Sequence, residues 1–154
     1  MTAQEQSKDG KRTVCIPIDA SQNASHVVDW AMENILNKDN DKVVLINVRE
    51  CPKDVFGVEC DYKYFEDRKE ESLALLDRTS KRMTSNGFEC KSIALRGEPR
   101  TELECEIGRL NPDLILVGSR GLGMVGRALM GSVSTHLIHH CKNPIVVVPP
   151  LIKQ

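Results

Sequence analysis

Along the chain, short apolar runs alternate with amphipathic stretches, and the two kinds follow different periods. RTVCIPID at 12–19, KVVLINVR at 42–49, residues 88–95, DLILVG at 113–118 and PIVVVP at 144–149 are strand-length segments, most of them rich in β-branched residues. Between them, apolar positions recur at the spacing of a helix over about 22–37, 62–86, 99–110 and 132–141. In the first helix Val27, Val28, Ala31, Met32 and Ile35 form one stripe, with Ser21 placed to cap its start. In the second, Phe65, Leu73, Leu76 and Met83 are expected on one face, and Gly87 ends the pattern. On its wet side Asp77 precedes Lys81 by four residues, the favourable order for an exposed pair. The third helix carries proline near its first position, where a missing amide costs no hydrogen bond. Residues 50–61 follow neither period and read as irregular.

The stretches 43–48, 114–117 and 145–148 are continuously apolar rather than alternating. Strands covered on both faces read this way, as in a parallel sheet sandwiched by helices. The order βαβαβαβαβ therefore predicts an α/β fold: an open, doubly wound, five-stranded parallel sheet with helices on both faces, Rossmann-like in plan. A length of 154 residues suits one domain, placed at 12–150, after a polar lead at 1–11 that is expected to be disordered. Ligands of such sheets bind beyond the carboxyl ends of the strands, where the strand order reverses. Pro17, Asp19, Val48 and a glycine-rich stretch all fall at strand carboxyl ends.

Charge and composition narrow the partners. With 21 basic and 22 acidic residues the net charge is -1, which argues against a surface that tracks nucleic-acid phosphates. No apolar run approaches the ~20 residues needed to span a bilayer, and MTAQEQSKDGKR lacks the apolar core of a secretory signal. The six cysteines (Cys15, Cys51, Cys60, Cys90, Cys105, Cys141) show no CxxC pair or zinc-ribbon spacing. Free thiols in a reducing compartment follow, so a cytoplasmic protein without nucleic-acid or membrane partners is expected.

The glycine-rich stretch is GSRGLGMVGRALMGSVS at 118–134, with five glycines in seventeen residues between a strand and a helix. Gly121 to Gly126 spells GxGxxG, but the helix waits until Gly131 and the region about 20 residues beyond is VVVPP, without the acid a dinucleotide fingerprint requires. The frame from Gly126 to Ser132 resembles a P-loop but lacks its lysine. The spacing left is Gly118, two residues, Gly121, nine residues, then Gly131-Ser132. The start of a helix presents unpaired amides and the positive end of its dipole, and glycine lets a phosphate approach them. Gly118 and Gly121 would pass under a sugar and first phosphate. Gly131, Ser132 and Val133 would reach the later phosphates, with hydroxyls from Ser132 and Ser134. The plain alternative is a long flexible turn.

These residues resemble the universal stress protein family of the nucleotide-binding type. That family carries G-x2-G-x9-G-[ST] between its fourth strand and fourth helix, which Gly118, Gly121, Gly131 and Ser132 match without a gap. Pro17-Ile18-Asp19-Ala20-Ser21 stands where the family has a strand-end aspartate followed by a helix cap. The resemblance covers about residues 12–150 and implies an adenine nucleotide alpha hydrolase-like fold. It implies ATP, ADP or AMP as ligand, with or without Mg, contacted also by Val48 at the second strand end and by Val117 before the first glycine. It further implies a stress-response regulator with slow hydrolysis at most, and a homodimer formed by antiparallel pairing of the last strand, 144–149. Val146, Val147 and Val148 would then lie near the two-fold axis, consistent with a β-branched edge strand as a template for association.

Several of these residues also have plainer readings. Asp19 serves equally to cap the first helix or hold its turn, and Pro17 and Val48 are strand residues whose ligand role would be packing against a base. Arg120 and Arg127 either screen phosphate charge or face water. His136, His139, His140 and Cys141 suggest a metal, but no acid lies between the histidines, and Cys141 falls with Val133, Leu137 and Ile138 on the expected core face. No metal site is expected there. Without a P-loop lysine, and with Asp19 the only obvious acid at the site, binding is expected rather than turnover. The alternatives are a related α/β adenylyl-transfer or flavin-type enzyme, which needs an HxGH or SGGxD motif that the chain lacks, and a dimeric interaction module that binds no nucleotide.

Overall fold

The computed structural model describes residues 10–50, 62–119 and 130–150, the side chains of residues 62–65 excepted. The elements run β1 (Arg12–Pro17), α1 (Gln22–Asn34), β2 (Asp41–Arg49), α2 (Tyr62–Ser85), β3 (Glu89–Arg96), α3 (Pro99–Leu110), β4 (Leu114–Gly118), α4 (Ser132–His140) and β5 (Ile145–Val148). Every expected strand and helix is present. Most of the expected lead at 1–11 and of the irregular segment at 50–61 lies outside the described residues.

All five strands are parallel, in the order β3-β2-β1-β4-β5. The chain winds outward from β1 to β3, then returns to the other side of β1 to lay down β4 and β5. The reversal therefore falls between β1 and β4, where Val14 pairs with Leu114 and Cys15 with Ile115. Connections on the two sides of this point leave in opposite directions and open a crevice at the strand carboxyl ends.

Strand alternation sorts the core into two layers. Val14, Ile16, Val43, Leu45, Leu114 and Leu116 meet Val27, Val28 and Ala31 of α1 and Leu76 and Met83 of α2. Cys15, Val44, Ile46, Ile115 and Val117 point the other way, against Leu103 and Ile107 of α3 and Leu137 of α4. Fully burying a side chain of the Val, Leu or Ile class contributes about 1.5–3 kcal/mol, so covering both sheet faces accounts for the continuous apolar runs.

Two helix faces differ from expectation. In α2, Leu73 is 47% exposed, and the buried line runs Ser72, Leu76, Thr79, Met83. In α4, Ile138 is 42% exposed, and Ser134 and Leu137 are buried. Hydrophobicity alone favoured Leu73 and Ile138, because serine and threonine read as solvent-facing. Here their hydroxyls are satisfied inside: Ser72 Oγ donates to Asn47 Oδ1 at 2.6 Å, and Thr79 Oγ1 to the Leu75 carbonyl at 2.8 Å. The expected stripe partner Phe65 has a side chain outside the described set. The Asp77–Lys81 pair forms at 2.8 Å. α2 stops as foreseen: Gly87 adopts φ +87°, and Phe88 N–H donates to the Met83 carbonyl at 3.1 Å in a left-handed helix end.

Candidate functional site

The turn leaving β1 is held from two sides. Ile18 N–H donates to the Ile46 carbonyl at 2.8 Å, and the Ile18 carbonyl accepts from Asn47 Nδ2 at 2.8 Å. Asn47 is buried and its own Oδ1 accepts from Ser72, so β2 and α2 together fix where the β1 end points. Asn47 was not among the expected site residues; an asparagine within an apolar strand run is the only signal of it in the sequence. After this clamp Asp19 Oδ1 accepts from Ser21 N–H at 2.9 Å, and Ser21 Oγ caps α1 by accepting from Ala24 N–H at 3.1 Å. Asp19 thus holds its turn, and the same geometry sets its carboxylate at the strand end.

On the other side of the reversal, Gly131 is the N-cap of α4 at φ −72°, ψ 157°, and no side chain caps the helix. Thr135 N–H donates to the Gly131 carbonyl at 3.0 Å, the first turn of the helix. The amides of Ser132, Val133 and Ser134 precede that bond and are left by helix geometry without a partner inside the helix. Two bonds hold this end of the helix to β4. The Gly131 amide donates to the Ser119 carbonyl at 2.6 Å. The buried Ser134 hydroxyl donates to the Gly118 carbonyl at 2.5 Å, tying α4 to β4 rather than facing outward. The helix start thus presents the 132–134 amides and Ser132, an exposed residue, at this end of the sheet.

A cleft of roughly 890 Å³ opens at the reversal. That is within the size range of small-molecule sites. It is bordered by Pro17, Asp19 and Val48 from the first two strand ends, by Val117 and Gly118 from β4, and by Gly131, Ser132 and Val133 from α4. These are the expected residues apart from Gly121, which lies outside the described set together with Arg120 and Arg127. Pro17, Val48, Leu103 and Val117 make an apolar part of the lining. Arg49, Arg68 and Arg78 bring guanidinium groups, balanced by Asp19, Glu50 and Glu71. The α2 arginines and Arg49 were missed, because their approach depends on how α2 lies across the strand ends. The Arg49 Nε is buried with no hydrogen-bond partner among the described residues. His136, His139, His140 and Cys141 do not border the cleft.

In chemical terms the cleft offers an apolar slot, a carboxylate at the β1 end and a row of helix amides at the α4 end. No lysine borders it among the described residues. Such an arrangement can take an apolar, flat group at one end and negative charge at the other.

Comparison with known proteins agrees with this plan. The universal stress protein family profile matches residues 11–149. A Universal stress protein A-like protein of Arabidopsis thaliana is 28% identical over 130 residues, covering 78% of this chain and 74% of that protein. Universal stress protein PHOS32 of the same plant is 28% identical over 165 residues, covering 90% of this chain and 64% of its own length. The chain thus spans about three quarters of the first relative and under two thirds of the second. Among solved structures, hypothetical protein MJ0577 superposes with a TM-score of 0.80 at 21% identity, covering 94% of this chain and 99% of that one. An Arabidopsis thaliana universal stress protein family protein with AMP bound superposes at 0.67 and 22% identity, covering 91% and 92%. A universal stress protein in complex with cAMP does so at 0.67 and 20%, covering 91% and 98%. With the strand order, the cleft at the reversal and a profile match over nearly its whole length, the chain belongs to the universal stress protein family.

Proposed function

We propose that the cleft binds an adenine nucleotide, ATP or its products ADP and AMP, and that the protein acts as a nucleotide-responsive regulator in stress physiology. The observation carrying this reading is that expected residues from four separated elements border one cleft, with an uncapped helix start at one end. AMP and cAMP in related structures favour an adenosine 5′-phosphate core as the shared ligand chemistry. The base would pack on Pro17, Val48 and Val117. Asp19 would accept a ribose hydroxyl, Gly118 and Gly121 would pass under the sugar and first phosphate, and Ser132 and Val133 would donate amides to the outer phosphates. Mg would accompany the triphosphate and reduce its charge near Asp19.

Charge-assisted amide bonds contribute about 1.5–3 kcal/mol each, and immobilising and desolvating the ligand offsets much of that gain. A dissociation constant on the order of micromolar, about -8 kcal/mol, follows. Hydrolysis would be slow, well under the ~10 per second of ordinary enzymes, because among the described residues the cleft pairs no lysine with a water-positioning base. The working unit is a cytoplasmic homodimer joined through 144–149.

Calorimetry on Ser132→Pro tests the site. Proline is tolerated at the first helical position, and Gly131 already has the extended backbone that precedes proline, so α4 survives. The variant lacks one amide donor and the hydroxyl, and its affinity for ATP and AMP should fall by about tenfold or more. Unchanged affinity, with circular dichroism matching the parent, contradicts the site.

A further inference from the structure

We propose that Glu104, His136 and His140 form a binding site for a divalent transition metal of the zinc class, on the exposed side of the α3–α4 pair and apart from the nucleotide cleft. His136 and His140 are one helical turn apart near the end of α4, and their rings stack with centroids 4.0 Å apart and planes 16° from parallel. Glu104 reaches across from α3 and places Oε2 2.7 Å from His136 Nε2. One ligand atom from each of the three residues lies within 4.8 Å of the others. The residues sit on two helices packed against the same sheet face, so the backbone carrying them is fixed by the core.

The imidazole of His140 has one ring nitrogen left for ligation. Its Nδ1 lies 2.8 Å from the His136 carbonyl, and a carbonyl only accepts, so Nδ1 carries a proton and Nε2 is the nitrogen that holds the lone pair in the neutral ring. A backbone carbonyl on the far nitrogen is the arrangement that orients metal-binding histidines generally. In the metal-free state a proton bridges His136 and Glu104; the metal takes its place. Tetrahedral coordination at about 2.0–2.2 Å sets ligand atoms roughly 3.3 Å apart, so the closest contact opens by about 0.6 Å. Rings stacked 16° from parallel aim their lone pairs along separate planes, so ligation also needs the exposed His140 ring to rotate out of the stack and the wider ligand pairs, now within 4.8 Å, to close. Two imidazoles and one carboxylate select zinc, copper or nickel over magnesium and calcium. Three protein ligands leave a fourth position for water, and the exposure of Glu104 at 43% and His136 at 21% gives the ion a way in. The spacing within α4 argued against a metal because no acid lies between the histidines. The fold supplies that acid from thirty-odd residues upstream.

The test is a calorimetric titration of the chelator-treated, reduced full chain with zinc chloride, with magnesium chloride as control. One zinc per chain should bind at least tenfold more tightly than magnesium. Glu104→Gln and His140→Ala should each weaken that zinc at least tenfold, and His139→Ala, an exposed neighbour outside the cluster, should leave it unchanged. Zinc should raise the melting temperature of the parent and of His139→Ala but not of the two ligand variants. Absence of saturable zinc binding overturns the proposal and leaves an ordinary Glu104–His136 hydrogen bond. Zinc affinity that is unaltered in Glu104→Gln and His140→Ala overturns it too, placing the metal on thiols elsewhere.

Discussion

Asp41 carries more of the architecture than its place at the foot of β2 suggests. Its side chain is 1% exposed and engaged on both oxygens. Arg12 Nε donates to Oδ1 at 2.8 Å, while Arg12 Nη2 and the Asn37 amide donate to Oδ2, each at 2.8 Å. The same guanidinium reaches the Ile35 carbonyl at 3.2 Å, so one ion pair ties the start of β1 to the end of α1 and the turn into β2. Burial pushes the Asp41 carboxyl up, but the Arg12 and Asn37 hydrogen bonds and the Arg12 charge outweigh it and hold the group below the usual range. A carboxylate with a depressed folded-state pKa stabilises the fold above its unfolded value of about 3.9, and that stability is lost as pH falls through the folded value. Asp41→Asn should cost about 2 kcal/mol at neutral pH, as Arg12 is partly exposed and can rehydrate, and should flatten the acid limb of a urea-midpoint profile against pH. No periodicity announces such a pair, since its partners are 29 residues apart. The same holds for Asn47, whose clamp on the β1 end needs α2 in place.

At the scale of elements, α3 shows what local sequence does and does not reveal. Pro99 at its start was legible as a helix opening. The cap itself is Glu98, whose side chain accepts from the Thr101 amide and the Thr101 hydroxyl, each at 2.9 Å, and from Arg100 Nε at 2.8 Å. Gly97 before it adopts φ +145°, which L-residues rarely take, and lets the chain turn from β3 into the helix. The Arg100 hydrogen bond first, then those from Thr101, hold the Glu98 carboxyl down to about 2. Glu98→Ala should destabilise the fold by about 1 kcal/mol, as loss of a cap does. The difference between parent and variant should be complete above pH ~4.3 and vanish toward pH 2, the window set by the unfolded and folded values. Chemical denaturation at several pH values reads it directly, and a gap that does not narrow with acid refutes the carboxylate as the cap. α3 also presents Pro99 and Leu103 to the cleft and Glu104 to the histidines, so its start angle matters at both places. The faces of α2 and α4 were harder to read, because Ser72, Thr79 and Ser134 are buried with their hydroxyls bonded, and a pattern of apolar residues cannot register that.

For the whole molecule, the order of the strands sets both where the cleft opens and which strands are left at the sheet edges. β5 is hydrogen-bonded to β4 and lies at one edge of the sheet. The Pro144 and Val148 carbonyls accept from Ile115 and Ser119, each at 2.9 Å, so by strand alternation the backbone groups of Ile145 and Val147 point away from β4. Antiparallel pairing of two such edges would use those groups. Val147→Pro removes an outward donor while sparing the ladder to β4, a position at which an edge strand tolerates proline. It should convert the proposed dimer to monomer in sedimentation velocity at concentrations on the order of tens of micromolar, with circular dichroism retained. A parent chain that is monomeric under those conditions removes the dimer altogether.

Apolar runs of strand length, helix-period stretches between them and glycines at one spacing sufficed to establish the α/β class, the number of elements and the glycine-flanked helix start. Those features are written in consecutive residues, where side-chain period and backbone freedom act over one or two turns. Which amides and hydroxyls are bonded within the fold, which arginines border the cleft, and the meeting of Glu104 with His136 and His140 were settled only by the packed fold. Each depends on groups far apart in sequence, whose distance is set by how helices rest on the sheet. Hydrogen bonds and ligand geometry change over tenths of an ångström, and only assembled tertiary contacts define positions that finely.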